Sequence, residues 1–348
     1  MEALLDFVAA RKDALLLAAR VLGGLAAAGT AFFLHTHFNS RKYYQYPYIL
    51  KNKMFMNGGS GFLNMGVWIK DSLRGLAGND KAVLAAVREA VERQSACANE
   101  DDREKLPFRE AQVRMYELFY TLGNLNTKGL KVLETGGGTC EHYLELANMG
   151  MDVESLNCYE KCLEPSQKLL DGIAQADKSS VLHRIKLHHR LAHSIASEPN
   201  EYDRIMAVES AFHYPDRKGF FKLCNDALRP GGKLIMTDII ANEDFSGNFI
   251  WRLIWKYYWR HVIFTPSENV IGFKEYEKQL RGSGFSKVEV IDITSISLRR
   301  FYAQLDDLVN TLDAPAYVVR MNQLICKALS SCDKGKYPMK YTLAVCTK

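Results

Sequence analysis

Short apolar runs alternate with helical stretches over the C-terminal two-thirds of the chain. The runs have the length of β-strands and lie at Lys131–Glu134, Asp152–Asn157, Ile185–Leu187, Arg204–Val208, Lys233–Asp238 and Val288–Ile293. This alternation is typical of an open parallel α/β sheet, because each parallel strand needs a crossover connection before it. A later run, Met339–Cys346, is predicted to complete the sheet as an antiparallel edge strand.

The beginning of the chain has a different pattern. Residues 14–34 read ALLLAARVLGGLAAAGTAFFL and contain a single charge, Arg20. A helix that crosses a bilayer needs roughly 20 mostly apolar residues, so this length just suffices. A cleaved signal peptide is disfavoured because Glu2 and Asp6 stand where a basic region is expected. We therefore predict an N-terminal hydrophobic helix within residues 1–39 that anchors the protein at a membrane; a buried or amphipathic helix is the alternative.

Composition excludes several classes of protein. The 348 residues include 45 Lys and Arg against 40 Asp and Glu, a formal charge of +5 that is spread along the chain. No basic tract of the kind that binds nucleic acid is present, so no nucleic-acid partner is predicted. The eight cysteines lack paired CxxC spacing, which favours reduced thiols and predicts no metal site.

A glycine-rich turn follows the first predicted strand. Glu134 ends that strand, and Gly136, Gly137 and Gly138 lead into a helical run. Glycine allows the backbone to approach a ligand closely, and the first amides of a helix donate hydrogen bonds. The carboxylate would repel a phosphate and attract an ammonium group, and the GK[ST] sequence of a phosphate-binding loop is missing. The turn predicts a small-ligand site that is not a nucleotide P-loop; a tight strand-to-helix turn without a ligand is the alternative.

Three stretches resemble the successive motifs of class I S-adenosylmethionine-dependent methyltransferases. They are VLETGGGTC at 132–140, YDRIMAVESAFHYPDRKGFFKLCNDALRPGGKLIMTDI at 202–239 and GFKEYEKQLRGSGFSKVEVIDIT at 272–294. The sequence FLNMGVW at 62–68 is similar to a segment that often precedes them in the small-molecule and lipid branch, which includes sterol, tocopherol, quinone and natural-product methyltransferases. The resemblance implies a Rossmann-like sheet, a transferase of the EC 2.1.1 class and S-adenosyl-L-methionine as cofactor.

The resemblance also implies a domain organisation. Residues 40–110 are expected to form a lid and helical segment, and 111–348 the methyltransferase domain. Helical insertions at about 243–270 and 296–333 are expected to cover the substrate pocket. Basic residues flank both ends of the apolar segment, so the positive-inside rule only weakly favours a domain that faces the cytosol. The expected location is a membrane such as that of the endoplasmic reticulum, with the cytoplasm as the alternative.

Cofactor residues carry over from the family position by position. The carboxylate of Glu134 and the glycines at 136, 137 and 138 are expected to hold the methionine part and the sulfonium region. The residue that ends the second strand usually bonds the ribose hydroxyls, and the best register puts Asn157 there. Glu154 is the rival if that register is wrong.

Two positions depart from the family pattern. Cys140 replaces the last glycine of the loop, and Leu191 or His193 stands where an aspartate near the adenine is common. These departures leave open a second interpretation, a catalytically degenerate domain that serves in binding or assembly.

The stretch ESAFHYPDR at 209–217 supplies the catalytic candidates. It resembles a run of natural-product O-methyltransferases in which the histidine, here His213, is the general base. The alternative for His213 is a structural role in the loop. Glu209 is expected to orient the substrate or to pair with His213, and a loop-capping role is its alternative.

Aromatic residues predict the acceptor wall. Trp68 and, in the first insertion, Trp251, Trp255 and Tyr258 are the candidate substrate-binding residues. Core packing is the alternative for this stripe. The expected partner is a lipophilic small molecule or lipid at a membrane surface; phosphoethanolamine-type N-methylation is the alternative reaction, and the oligomeric state is open.

Overall fold

A computed structural model describes a large part of the chain. The described residues are 65–69, 71–96, 106–137, 141–158, 160–175, 181–197, 199–245, 255–256, 259–260, 265–301 and 337–348. The predicted hydrophobic helix within 1–39 lies outside these ranges, as do Gly138, Trp251, Tyr258 and most of the second predicted insertion.

The described strands form one seven-stranded sheet with the order β3-β2-β1-β4-β5-β7-β6. The strands are β1 (Lys131–Thr135), β2 (Asp152–Asn157), β3 (Ile185–His189), β4 (Tyr202–Val208), β5 (Leu228–Ala241), β6 (Lys287–Asp292) and β7 (Met339–Thr347). β1 to β5 pair in parallel, and β7 runs antiparallel between β5 and β6. The predicted mostly parallel sheet with an antiparallel strand on one side is confirmed. The antiparallel strand β7 lies one position in from the edge, however, and β6 forms the edge itself.

Helices connect and cover the strands. The described α-helices are α1 (Asp80–Ala96), α2 (Phe108–Gly123), α3 (Glu141–Asn148), α4 (Glu160–Gln175), α5 (Arg217–Ala227) and α6 (Phe273–Arg281). Asp216 caps α5, because its carboxylate accepts the N–H of Gly219 at 2.8 Å. Short 3-10 helices follow several strands, at Ala192–Ser197, Ala211–His213, Ser267–Asn269 and Thr294–Ile296.

Alternate residues of the central strands enter two separate hydrophobic clusters. In β4, Met206 belongs to one cluster and Ile205 and Ala207 to the other. In β5, Ile235 faces the first cluster and Leu234 the second. Successive side chains of a strand point to opposite faces, so both faces of the sheet are buried.

The strand order reverses direction at β1, which has β2 on one side and β4 on the other. In the register, Thr135 lies opposite Leu156 of β2, and Glu134 lies opposite Met206 of β4. Open α/β sheets bind ligands at the carboxyl ends of their strands, where such a reversal leaves a crevice. We therefore expect a ligand site among the residues at the carboxyl ends of β1, β2 and β4.

Within the described ranges, no helix has the length and apolar character needed to span a bilayer. The predicted spanning segment, 14–34, is outside those ranges.

Candidate functional site

The turn after β1 needs glycine at two consecutive positions. Gly136 has φ +73°, and a Cβ at this position would overlap the side chain of Ser210. A Cβ on Gly137 would overlap the hydroxyl of Tyr143. The N–H of Gly136 donates to the carbonyl of Leu156 at 2.8 Å, which ties the turn to β2. Glycine is thus required at both positions because the turn packs closely against Ser210 and Tyr143.

Glu134 is buried near the end of β1, directly before the glycine turn, with 1% of the residue exposed. His142 Nε2 of α3 lies 2.5 Å from Glu134 Oε2, and the Tyr116 hydroxyl of α2 donates to Oε1 at 3.5 Å. Burial first, and then the negative charge of Glu134, raise the pKa of the Tyr116 hydroxyl well above its ordinary value. Tyr116 therefore stays a neutral donor, and the carboxylate is fixed in position by two helices.

Asn157 ends β2 at the same edge. Its side-chain amide donates to the carbonyl of Gly137 at 2.8 Å, so it ties the second strand to the glycine turn. The rival residue, Glu154, lies three positions earlier and contacts Lys131 Nζ at 3.1 Å and the Tyr202 hydroxyl at 3.1 Å. Burial raises the pKa of Glu154, but the bonds and charge of Lys131 and the bond from Tyr202 outweigh it, and the pKa is lowered. Of the two candidates, Asn157 lies at the crevice.

The residues after β3 lie next to Asn157. The N–H of Arg190 donates to the Asn157 carbonyl at 3.0 Å, and the following Leu191 is 64% exposed. His193 Nε2 is 2.7 Å from the carbonyl of Asp216. An apolar side chain therefore occupies the solvent-facing position where the family often has an aspartate, and His193 contacts the segment after β4.

The turn after β4 carries His213 on its exposed side. The Ser210 hydroxyl donates to the carbonyl of Thr135 at 2.8 Å, and the Tyr214 hydroxyl donates to Ser210 Oγ at 3.0 Å. The turn that bears His213 is thus joined directly to the start of the glycine turn. Two predicted elements, the glycine turn and His213, belong to one crevice.

Glu209 takes an unexpected position at the end of β4. It is buried, and it has φ +50°, a left-handed conformation that is rare for a residue with a side chain. Its Oε1 accepts the Tyr341 hydroxyl of β7 at 2.6 Å and the N–H of Met65. The carboxylate therefore joins the end of β4 to β7 and to the segment 65–69. A strained residue held by such contacts is a feature of functional edges.

Trp68 and Trp255 are both buried. Trp68 is completely buried, and its indole N–H donates to the Leu106 carbonyl at 3.1 Å. Trp255 packs edge-on against Phe245 with the ring centroids 6.4 Å apart. These contacts favour core packing, the alternative to a substrate wall, for the Trp68 and Trp255 rings. Trp251 and Tyr258, like Gly138, lie outside the described residues.

Several residues of this edge were not found from the sequence. Tyr116 is remote in sequence from Glu134, and nothing in its helix distinguishes it from the other buried residues of α2. His142 is eight residues after Glu134. Its place as a polar residue in the first turn of α3 is the signal in the sequence that could have identified it as a contact of the site. In the described part of the chain, no group of His, Cys, Asp and Glu side chains could hold a metal ion.

The strand order, the antiparallel β7 and the glycine turn after β1 define the class I methyltransferase fold. The buried carboxylate before the turn and the glycine backbone suit an ammonium-bearing ligand better than a phosphate, which agrees with the cofactor of that class, S-adenosylmethionine.

Comparison with known proteins agrees with this class. Residues 133–236 match the model of a family described as a methyltransferase domain. The match covers the glycine turn, β2, β3, β4 and most of β5. This chain therefore carries a class I S-adenosylmethionine-dependent methyltransferase domain.

Individual relatives are similar over parts of their length. Erythromycin 3''-O-methyltransferase of Saccharopolyspora erythraea is 31% identical over 130 residues, 33% of this chain and 39% of that protein. The ubiquinone biosynthesis O-methyltransferase of Leptothrix cholodnii is 27% identical over 131 residues, 37% of this chain and 52% of that protein. The chain thus covers about half or less of these relatives.

A solved structure shares the fold over a longer stretch. Geranyl diphosphate C-methyltransferase from Streptomyces coelicolor, in complex with S-adenosyl-L-homocysteine, aligns with a TM-score of 0.56 and 11% identity. The alignment covers 86% of this chain and 92% of that one. At this identity the similarity concerns the fold alone.

Proposed function

We propose that this chain transfers a methyl group from S-adenosylmethionine to a lipophilic small molecule or lipid. The observation that carries the proposal is the convergence, at the reversal point of the sheet, of Glu134, the glycine turn, Asn157 and the turn that bears His213. They come from the ends of three strands, β1, β2 and β4, as expected of a ligand crevice in an open α/β sheet.

The described residues fit the cofactor. S-adenosylmethionine, when bound, supplies an electrophilic methyl group on a sulfonium centre. Glu134 provides a buried negative charge for the cofactor ammonium, and Gly136 and Gly137 provide the backbone surface along which it lies, with Gly138 as a further member of the loop. Asn157 is the proposed ribose contact. The ligand ammonium would share the Glu134 carboxylate with His142, whose Nε2 contacts Oε2.

His213 is the proposed general base. Its exposed position on a turn bonded to the glycine loop would allow a proton to pass from an acceptor hydroxyl to the imidazole as the methyl group is transferred. Glu209 is proposed to orient the acceptor side of the crevice, since its carboxylate ties the β4 end to the segment 65–69. Exclusion of water and alignment of the acceptor supply the rest of the rate enhancement.

A lipophilic acceptor is the finer part of the proposal. The names of the two relatives refer to a macrolide antibiotic and to a quinone pathway. Trp251 and Tyr258 of the first insertion are the proposed wall of the acceptor pocket. The buried rings of Trp68 and Trp255 are proposed to support that wall from the core. In the sequence, the insertion stands between β5 and α6.

Titration calorimetry with S-adenosylmethionine tests the cofactor site. We expect Glu134→Gln to weaken binding by about 10-fold or more, because a buried charge pair is lost. Glu289→Gln is the matched control. Glu289 of β6 forms an ion pair with Arg88 of α1, away from the glycine turn. Absence of binding to the unmodified chain at millimolar cofactor would refute the proposal.

An acceptor screen with labelled cofactor tests the reaction. Lipid extracts, quinones, macrolides and phosphoethanolamine are offered to the full chain, and label is expected in the lipophilic fraction. His213→Ala is expected to reduce turnover by about 100-fold with unchanged cofactor affinity. His183→Ala is the control, because His183 is exposed and lies before β3 at the opposite edge. Label in no acceptor, despite cofactor binding, would favour the degenerate binding protein.

The membrane association is proposed from the sequence. Residues 1–39 are proposed to anchor the protein, 40–110 to form a lid and helical segment, and 111–348 to form the catalytic domain facing the cytosol. Deletion of residues 1–39 should move the protein from the membrane pellet to the supernatant. Alkaline carbonate extraction distinguishes a spanning helix from an interfacial one. Full-length protein already in the supernatant would contradict the anchor.

A further inference from the structure

The carbonyl groups on both sides of His213 have the same hydrogen-bond donor. The side-chain amide of Asn269 donates to the Phe212 carbonyl at 3.1 Å and to the Tyr214 carbonyl at 2.7 Å. Asn269 ends the 3-10 helix Ser267–Asn269, at the C-terminal end of the first insertion, and is 4% exposed. One buried amide thus spans the base of the turn from which His213 projects.

Asn269 is itself held by a buried ion pair. Arg217 Nη2 donates to the Asn269 carbonyl at 2.9 Å, and Arg217 Nη1 lies 3.1 Å from Asp238 Oδ2. The Arg217 guanidinium also lies 5.0 Å from the centre of the Tyr276 ring. Arg217 and Asp238 are both almost completely buried. A buried ion pair often adds little net stability, because desolvation offsets the attraction. Its contribution here is to hold the Asn269 carbonyl in place.

The opposite side of the turn is held independently. The Ser210 hydroxyl donates to the carbonyl of Thr135, which ends β1 just before the glycine turn. His193 Nε2 lies 2.7 Å from the Asp216 carbonyl. With these contacts on one side and Asn269 on the other, the backbone around His213 has little freedom to rotate. The imidazole is exposed while its supporting backbone is fixed.

We propose that Asn269 is a positioning residue for His213, and that the Arg217–Asp238 pair fixes Asn269 in place. Because Asn269 lies at the C-terminal end of the insertion, the same contacts link the proposed cover of the acceptor pocket to the proposed base. The inference rests on the proposed function, in which His213 acts as the base.

A double-mutant cycle separates this role from general stability. Asn269→Ala should reduce kcat by about 10-fold or more, equivalent to about 1.4 kcal/mol, while the dissociation constant of the cofactor changes by less than about twofold. In the His213→Ala background the same substitution should have almost no further effect, because both changes remove one function. The limb of the kcat–pH profile that depends on His213 should also shift in Asn269→Ala.

Asn269→Ser serves as a second variant, since a hydroxyl retains one donor if the alanine variant fails to fold. Ser283→Ala is the matched control: Ser283 is buried and donates to the Gln279 carbonyl at 2.7 Å, before β6 and away from the crevice. It should lower stability without changing the pH profile.

The outcomes are distinguishable. The positioning role would be overturned if the Asn269 and His213 substitutions each lowered kcat and their effects added in the double variant. If His213→Ala leaves turnover unchanged, the proposed base fails instead, whatever Asn269 does.

Discussion

Gly136 and Gly129 offer a matched pair for measuring what the cofactor turn demands. Both have left-handed backbones, with φ +73° and +79°. A Cβ on Gly129 would have no atom within 4 Å, whereas one on Gly136 would overlap Ser210. Substitution of each by alanine therefore applies the same backbone strain, and only Gly136→Ala adds a steric overlap.

The difference between the two substitutions can be worked out from these contacts. Left-handed backbone costs a residue with a Cβ about 1–2 kcal/mol, which is the whole expected effect of Gly129→Ala. Gly136→Ala must also displace Ser210, which adds about 1–3 kcal/mol of overpacking. The displaced hydroxyl loses its bond to the Thr135 carbonyl, for about 1 kcal/mol more. We expect Gly136→Ala to be less stable than Gly129→Ala by about 2–4 kcal/mol.

Urea unfolding measures the free energy of unfolding, and calorimetry measures the affinity for S-adenosylmethionine at concentrations where each variant is folded. Gly129→Ala should bind the cofactor as the unmodified chain does, and Gly136→Ala should bind at least about 10-fold more weakly. Equal destabilisation of the two variants, to within about 0.5 kcal/mol, would refute the steric argument. Equal cofactor affinity would remove Gly136 from the binding surface.

Three further predictions concern single side chains. Asn157→Asp should weaken cofactor binding, measured by calorimetry, because a carboxylate cannot donate to the Gly137 carbonyl and would repel it. Trp68→Phe should lower the free energy of unfolding in urea by about 1–3 kcal/mol without changing cofactor affinity, since it removes a buried donor. The lowered pKa of Glu154 means that its pairing with Lys131 stabilises the fold above the ordinary carboxyl pKa of 4.5 and is lost as pH falls through the lowered value. Glu154→Gln should therefore flatten the loss of stability in acid.

The fold could be predicted because its information is local and periodic. Each strand of the sheet is a short apolar run. Strands that alternate with helices along the chain indicate a parallel sheet, and this alternation is visible in the sequence alone. The boundary of β5 shows the limit of such reasoning. The predicted strand Lys233–Asp238 extends in the structure to Leu228–Ala241 and includes the Pro230–Gly232 stretch, with a register irregularity against β4. Pairing with neighbouring strands, which a single segment does not reveal, sets those ends.

The candidate site was predictable only where residues belong to a motif. Glu134, Asn157 and His213 follow strand ends, and strand ends are visible in the sequence. The groups that hold them are not: Tyr116 and Asn269 come from elements separated by many residues, and they contact the site through single polar atoms. Such contacts leave no periodic pattern, because one asparagine in a loop looks like any other. Trp68 shows the converse, since its place in an aromatic segment suggested a pocket wall, while the described contacts place it in the core.

Side-chain amides fix backbone carbonyls at two places of this edge. The first is Asn157, which ends β2. The side chain faces the carbonyl of Gly137, and Asn269 likewise faces two carbonyls at the other side of the crevice. A carboxylate has no hydrogen to donate, whereas an amide donates to carbonyls. Both boundaries of the crevice are thus set by amides that fix backbone carbonyls, and an asparagine at 157 is compatible with a functional cofactor site.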